Sequence, residues 1–330
     1  MIKNKVAIIF TGGTISMKVD PRIHAAIPAL TSEEILGMVT NIERFAQLEI
    51  INYANLPSPH INPRMMMEIA ILVKETIARE DISGVIVTHG TDTLEETAFL
   101  LDLTIRTEKP IVVVGAMRNG SELGYDGSSN LSAALCTAIS PRAKNKGVLV
   151  VMNNEVNAAS EVTKTNTLSL DTFKSPEFGP LGIVDNDEVI FYRDILSHQF
   201  IDTDRIEEKV GLIKAVPGME SDIVNFYIDR GYRGIVIEAL GRGNLPPEML
   251  PGIKEAIDQG LAIVMVSRCP TGRVLDSYGY EGGGKMLREM GVVFGGNLPG
   301  QKLRIKLMLA LGITDNLEKI KEMIEYNVLG

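Results

Sequence analysis

Short apolar runs rich in β-branched residues recur at 6–10 (VAIIF), 48–53, 84–88, 111–115 and 148–152, and stretches with helical spacing separate several of them. Runs that are apolar at every position predict strands buried on both faces. Their alternation with helices predicts a parallel sheet covered by helices. Two helix starts are legible. Thr31-Ser32-Glu33-Glu34 and Thr93-Leu94-Glu95-Glu96 both fit the pattern in which a Thr caps the helix and a Glu three residues on reaches back to it. The polar stretch 153–180 is long for a connection, and long ordered loops tend to carry function. Residues 188–192 predict a last strand, and the charged segment 193–209 predicts a linker. A second series of strands follows at 210–216, 234–240, 261–267 and 291–294, with helices among them and two at the end. The expectation is a larger N-terminal α/β domain over 1–192 and a smaller C-terminal α/β domain over 210–330, joined by 193–209.

Composition narrows the partners. Among 330 residues, 33 basic against 42 acidic side chains give a net charge of −9. There is no basic run and no aromatic cluster, which argues against nucleic acid or an anionic membrane surface and for a small-molecule substrate. Cys136 and Cys269 form no C-x-x-C pair, and His24, His60, His89 and His198 show no ligand spacing, so neither a disulfide framework nor a metal site is expected. The first apolar stretch is too short for a signal peptide, and no apolar run approaches the roughly 18 residues of a membrane span. A cytoplasmic protein is the expectation.

In open α/β sheets ligands bind beyond the carboxyl ends of the strands. Reading past each strand yields Thr11 in TGGT, Ser58 in LPSPH, Thr91 and Asp92 in THGTDT, and Lys164 in VTKTNT. The TGGT turn admits three readings. Its threonines can satisfy backbone groups at a strand-to-helix turn. It can cradle phosphate, although the Walker Gly-Lys-Ser/Thr and the G-x-G-x-x-G spacing are absent. Or one threonine can be a nucleophile in acyl transfer, which needs a base, an oxyanion site and substrate anchors. A lysine base would have to fall from a reference pKa of about 10.4 toward 7, at a cost of roughly 4 to 5 kcal/mol that burial among apolar groups can supply. Asp92 would act against that shift, so it is expected to orient the lysine and receive a substrate ammonium, and also to cap the helix near Thr93. Backbone N–H groups of the Gly90-Thr91 turn are the expected oxyanion donors. Thr14 is expected to satisfy local backbone, and Ser58, between two prolines, also reads as a turn residue.

TGGTI, HGTDTLEETA and VTKTNT, in this order and at about these separations, resemble the L-asparaginase/glutaminase family, whose members form acyl-enzymes on threonine. LPSPHINP, VGAMR, YDGSSNL, FKSPEFGPLG, GRGNLP and YEGGG extend the resemblance over nearly the whole chain. The resemblance implies two α/β domains, the second flavodoxin-like, assembled as a homodimer or homotetramer without cofactors. It implies hydrolysis of L-asparagine to aspartate and ammonia. In it Thr11 corresponds to the nucleophile. Thr91, Asp92 and Lys164 match the second catalytic group, and Ser58 and Asp92 match the anchors of the substrate's α-carboxylate and α-amino groups. Two alternatives accompany it. One is a glutaminase or an amidase feeding ammonia to another reaction, as in the glutamyl-tRNA amidotransferase subunit, whose extra N-terminal domain does not fit a TGGT at residue 11. The other is a non-catalytic amino-acid sensor, which would need only the anchors. The chain departs from the family at 17–30, where relatives commonly carry a tyrosine and this segment has none; Tyr278 and Tyr280 are the candidate replacements. Glu281 is the candidate for a glutamate that in exported relatives reaches into a neighbour's site.

Overall fold

The structure is a computed structural model that describes residues 4–40, 42, 45–196 and 198–326. The chain divides into two compact units, one running to Phe200 and one beginning at Ile201. In chain order the first holds β1 (Lys5–Gly12), β2 (Met17–Asp20), β3 (Ala25–Pro28), α1 (Ser32–Gly37), β4 (Gln47–Leu56), α2 (Pro63–Ala78), β5 (Gly84–Thr88), α3 (Leu94–Thr104) and β6 (Ile111–Val114). It continues with α4 (Gly127–Ile139), β7 (Val148–Met152), β8 (Glu155–Ala158), β9 (Thr163–Lys164), β10 (Phe173–Lys174), β11 (Gly182–Asp185) and β12 (Glu188–Phe191).

Eight of these strands form one sheet in the order β12-β11-β8-β7-β6-β5-β1-β4. The five from β4 to β7 are parallel, as their uninterrupted apolar runs predict, and β1, β5, β6 and β7 are buried almost throughout. Helix α2 shows the complementary pattern: Met66, Ile69, Ala70, Val73 and Ile77 share one buried face at helical spacing. The register sets Phe10 of β1 beside Thr88 of β5 and Gly12 beside Leu56 of β4. The segments TGGT, LPSPH and THGTDT therefore leave the sheet side by side at one end.

Two expectations are corrected. The segment 153–180 is not a loop: it contains β8, β9 and β10, and β8 returns antiparallel along β7. The reversal is a two-residue turn at Asn153-Asn154 with φ of 50° and 61°, and a second one at Asn186-Asp187, φ 47° and 63°, joins β11 to β12. Asn and Asp tolerate this left-handed backbone, and its twist matches that of paired strands. The capping box at Thr31 forms, with Thr31 and Glu34 bonded reciprocally. The one expected at Thr93 does not. Thr93 is the cap residue, but its hydroxyl donates to the Ser58 carbonyl at 3.1 Å.

The second unit holds β13 (Val210–Lys214), α5 (Asp222–Asp229), β14 (Gly234–Ala239), α6 (Leu250–Asp258), β15 (Ala262–Ser267), α7 (Gly284–Met290), β16 (Val293–Phe294), α8 (Gly300–Ile313) and α9 (Leu317–Ile324). Its four strands form a parallel sheet in sequential order. Lys302 and Lys306, one turn apart on α8, are both buried. Lys306 Nζ donates to the Ile324 carbonyl at 2.9 Å, and burial pushes its pKa down to about 7.

That lysine makes stability depend on pH. Unfolded, it has a pKa near ~10.4. Between about 7 and that value the unfolded chain binds the extra proton, so stability rises with pH, by at most ~1.4 kcal/mol per unit. In melts of the full chain, the difference in stability between Lys306→Met and wild type is expected to favour the variant most near pH 7 and to narrow toward pH 10. A difference that does not change with pH would contradict the buried ammonium.

Candidate active site

Two glycines assemble the site. Gly12 and Gly13 have φ of 110° and 87°, a left-handed backbone that side chains rarely adopt, and they turn the chain sharply out of β1. A β-carbon at Gly13 would overlap the backbone of Gly90, and one at Gly90 would lie 2.7 Å from Cβ and 2.8 Å from Oγ of Ser58. The turns after β1, β4 and β5 are thus packed backbone on backbone. The residues following the two glycines, Thr14 and Thr91, emerge from this contact with Ser58 beside them.

The two hydroxyls of TGGT have different surroundings. Strand β1 continues through Thr11, which is fully buried, and its Oγ1 donates to the Thr88 carbonyl at 2.7 Å. Its proton is committed to the backbone and no surface is open to a substrate. Thr14 opens a short 3₁₀ turn, Thr14–Ser16, and is only partly buried. Its hydroxyl makes no hydrogen bond with a described residue. The accessible, uncommitted hydroxyl is that of Thr14, whereas that of Thr11, which the sequence reading singled out, is sealed.

Lys164 Nζ donates to Thr91 Oγ1 at 2.9 Å and pairs with Asp92 Oδ1 at 2.7 Å. The lysine side chain is 15 % exposed and that of Asp92 63 %, so the aspartate keeps an open face while the lysine lies below it. Ser58 is buried, and its Oγ accepts from the Asp92 N–H at 3.3 Å. Of the residues singled out in the sequence, Ser58, Thr91, Asp92 and Lys164 are brought together, although 106 positions separate the first from the last. Among the described residues no group of three or more His, Cys, Asp or Glu side chains is placed to hold a metal ion.

This arrangement has relatives. The family model "Asparaginase, N-terminal" matches residues 5–197, and "Glutaminase/Asparaginase C-terminal domain" matches 209–324. The chain belongs to the asparaginase family. It is 34 % identical to an L-asparaginase of Bacillus licheniformis, over 94 % of this chain and 96 % of that one. It is 36 % identical to a glutamyl-tRNA(Gln) amidotransferase subunit of Pyrococcus abyssi, over 99 % of this chain and 76 % of the relative. A crystal structure of a probable cytoplasmic L-asparaginase from Campylobacter jejuni superposes with a TM-score of 0.88 at 32 % identity, covering 98 % of this chain and 99 % of that one.

Two further segments of the resemblance, VGAMR and YDGSSNL, meet within the first unit. Asp126 accepts from the backbone N–H groups of Met117 and Arg118, and Asn130 Nδ2 donates to Asp126 and to the Gly115 carbonyl, so YDGSSNL holds the end of VGAMR. His89 is fully buried between the Gly90 carbonyl and Thr97 Oγ1, both at 2.9 Å. A carbonyl only accepts, so Nδ1 carries the proton and Nε2 accepts from Thr97. Burial lowers the pKa of His89 to about 4, and the ring is a neutral brace between the Gly90 turn and α3.

Sequence reasoning missed one contact. The Tyr125 phenol donates to the Ile15 carbonyl at 2.8 Å, tying YDGSSNL to the turn that opens with Thr14 across 110 positions. The first unit thus supplies a phenol at this turn although 17–30 has none. The other candidates, Tyr278 and Tyr280, lie in the second unit with their rings 5.6 Å apart and both phenols exposed, and Glu281 is exposed beside them.

The packing of Gly90 on Ser58 is directly testable. Gly90→Ala has no room for its methyl group and is expected to lose about 1–3 kcal/mol in denaturant unfolding. Wild-type stability in that variant would contradict the close contact.

Proposed function

We propose that this asparaginase-family amidohydrolase hydrolyses L-asparagine to L-aspartate and ammonia through an ester formed on Thr14. The observation that carries the reading is the contrast between the sealed, committed hydroxyl of Thr11 and the open one of Thr14, set by Gly13 against Gly90 and the Thr91-Lys164-Asp92 group. Thr14 Oγ1 attacks the side-chain carboxamide carbon while its proton passes toward Lys164 through Thr91 or a water. The backbone N–H groups of the Gly90 turn receive the oxyanion. Collapse breaks the C–N bond, the nitrogen leaves as ammonia with the returned proton, and a water then hydrolyses the ester to aspartate. Ser58 holds the α-carboxylate and the open face of Asp92 the α-ammonium.

The amidotransferase relatives make the amide itself the point to test. Ammonia release from L-asparagine, L-glutamine and D-asparagine, measured side by side, is expected to be fastest with L-asparagine. A clear preference for L-glutamine would move the reading to a glutaminase.

Thr14→Ala is expected to lower kcat by at least about 10³-fold, more than ~4 kcal/mol of barrier, with the fold intact. Thr11→Val leaves the buried Thr88 carbonyl short of its donor, so it is expected to lose about 1–3 kcal/mol of stability and keep kcat within a few-fold. The reverse pattern would return the nucleophile to Thr11. Tyr125→Phe removes one hydrogen bond without changing shape and is expected to lower kcat about tenfold, ~1.4 kcal/mol, at nearly constant KM. An unchanged kcat would show that the phenol does not matter to the turn.

A further inference from the structure

Lys164 sits on a weak support. Its strand, β9, is two residues long and pairs only with the two residues of β10, in a sheet separate from the eight-stranded one. So short a pair does not hold a side chain in place by itself. Beyond the lysine, Thr165 N–H bonds the Thr172 carbonyl at 2.8 Å, and the lysine's own backbone N–H is held by Glu95, in the first turn of α3. Glu95 is 4 % exposed. Its Oε1 accepts from Thr163 Oγ1 at 3.1 Å and from the Lys164 backbone N–H at 3.3 Å. Its Oε2 is inaccessible to solvent and has no hydrogen-bond partner among the described residues.

A buried carboxylate with one oxygen unpartnered carries a free-energy cost that a merely space-filling side chain would not. The geometry accounts for its presence. The chain that enters α3 carries Thr91 and Asp92, which receive Nζ of Lys164, and its first helical turn carries Glu95, which receives the backbone of the same lysine. One helix start thus grips the lysine at both ends.

We propose that Glu95 is the positioning residue for Lys164, setting the distance between Nζ and the Thr91-Asp92 pair. The inference rests on the amidohydrolase reading above and deepens it.

Four variants of the full chain test it with L-asparagine: Glu95→Ala, Glu95→Gln, Lys164→Ala and Glu95→Ala combined with Lys164→Ala. Glu95→Ala is expected to lower kcat at least tenfold with KM within about threefold, because Ser58 and Asp92 remain. Glu95→Gln keeps the Oε1 acceptor and puts its nitrogen where Oε2 already lacks a partner, so it is expected to recover kcat to within about threefold of wild type. Thr163→Val, which removes one of the two donors, covers the case in which Glu95→Ala fails to fold, and is expected to lower kcat by a smaller factor. In the Lys164→Ala background, Glu95→Ala is expected to cost nothing further, since it acts through the lysine. Wild-type kcat in Glu95→Ala, a glutamine variant as impaired as the alanine one, or additive losses in the double variant would each overturn the inference. Full activity in Lys164→Ala would instead bring down the catalytic reading beneath it. An inactive Lys164→Ala with a normal Glu95→Ala overturns the positioning role alone.

Discussion

The contact on which the site depends is between two stretches of bare backbone, Gly13 and Gly90. Neither position has room for a β-carbon, and through them the chain leaving β1 lies directly on the chain leaving β5. Parallel strands make this contact possible. Adjacent strands that run the same way deliver their carboxyl-terminal turns to the same edge, and the register of β4, β1 and β5 places the three turns level. The glycines then let those turns approach closely enough for Thr14, Ser58 and Thr91 to share one space.

The same geometry separates the two threonines of TGGT. A strand buried on both faces leaves its last side chains no solvent, and Thr11 is such a residue: its hydroxyl is absorbed by the neighbouring strand's carbonyl. Only beyond the left-handed glycine pair does the chain reach a half-open position. Around that point the protein spends a series of otherwise unrelated polar side chains on holding backbone: Asp126 and Asn130 on the end of β6, Tyr125 on Ile15, the neutral His89 ring on Gly90, and Glu95 on Lys164. These bonds are buried or partly buried, where an unpaired partner is costly, so each turn is held in one arrangement.

Much of this was legible in the sequence, because parallel strands write themselves as apolar runs: 84–88 and 148–152 are strands over their full expected length. Ser58, Thr91 and Asp92 could be picked out because each follows a strand end, and Lys164, which lies in β9, because the reading continued past the strand at 148–152. What escaped was set by local backbone conformation or by distance. Asn153-Asn154 and Asn186-Asp187 are turn pairs of the kind that close hairpins, yet in a polar stretch they read as loop. The apolar run ends at Phe10, just before Thr11, whereas β1 continues two residues further, to Gly12, and no apolar run decides that difference. Thr93 looked like a cap because its hydroxyl could be one, and tertiary structure gave that hydroxyl to Ser58 instead. Tyr125 and Glu95 carry no local sign of the residues they hold.

The most direct measurement of the central claim locates the ester. Enzyme mixed with L-asparagine, quenched in acid and digested with trypsin releases the peptide 6–18, which contains both threonines. Fragmentation between Gly12 and Gly13 divides them. The aspartyl adduct is expected on the fragment that carries Thr14, and an adduct on the fragment that carries Thr11 would contradict a Thr14 nucleophile.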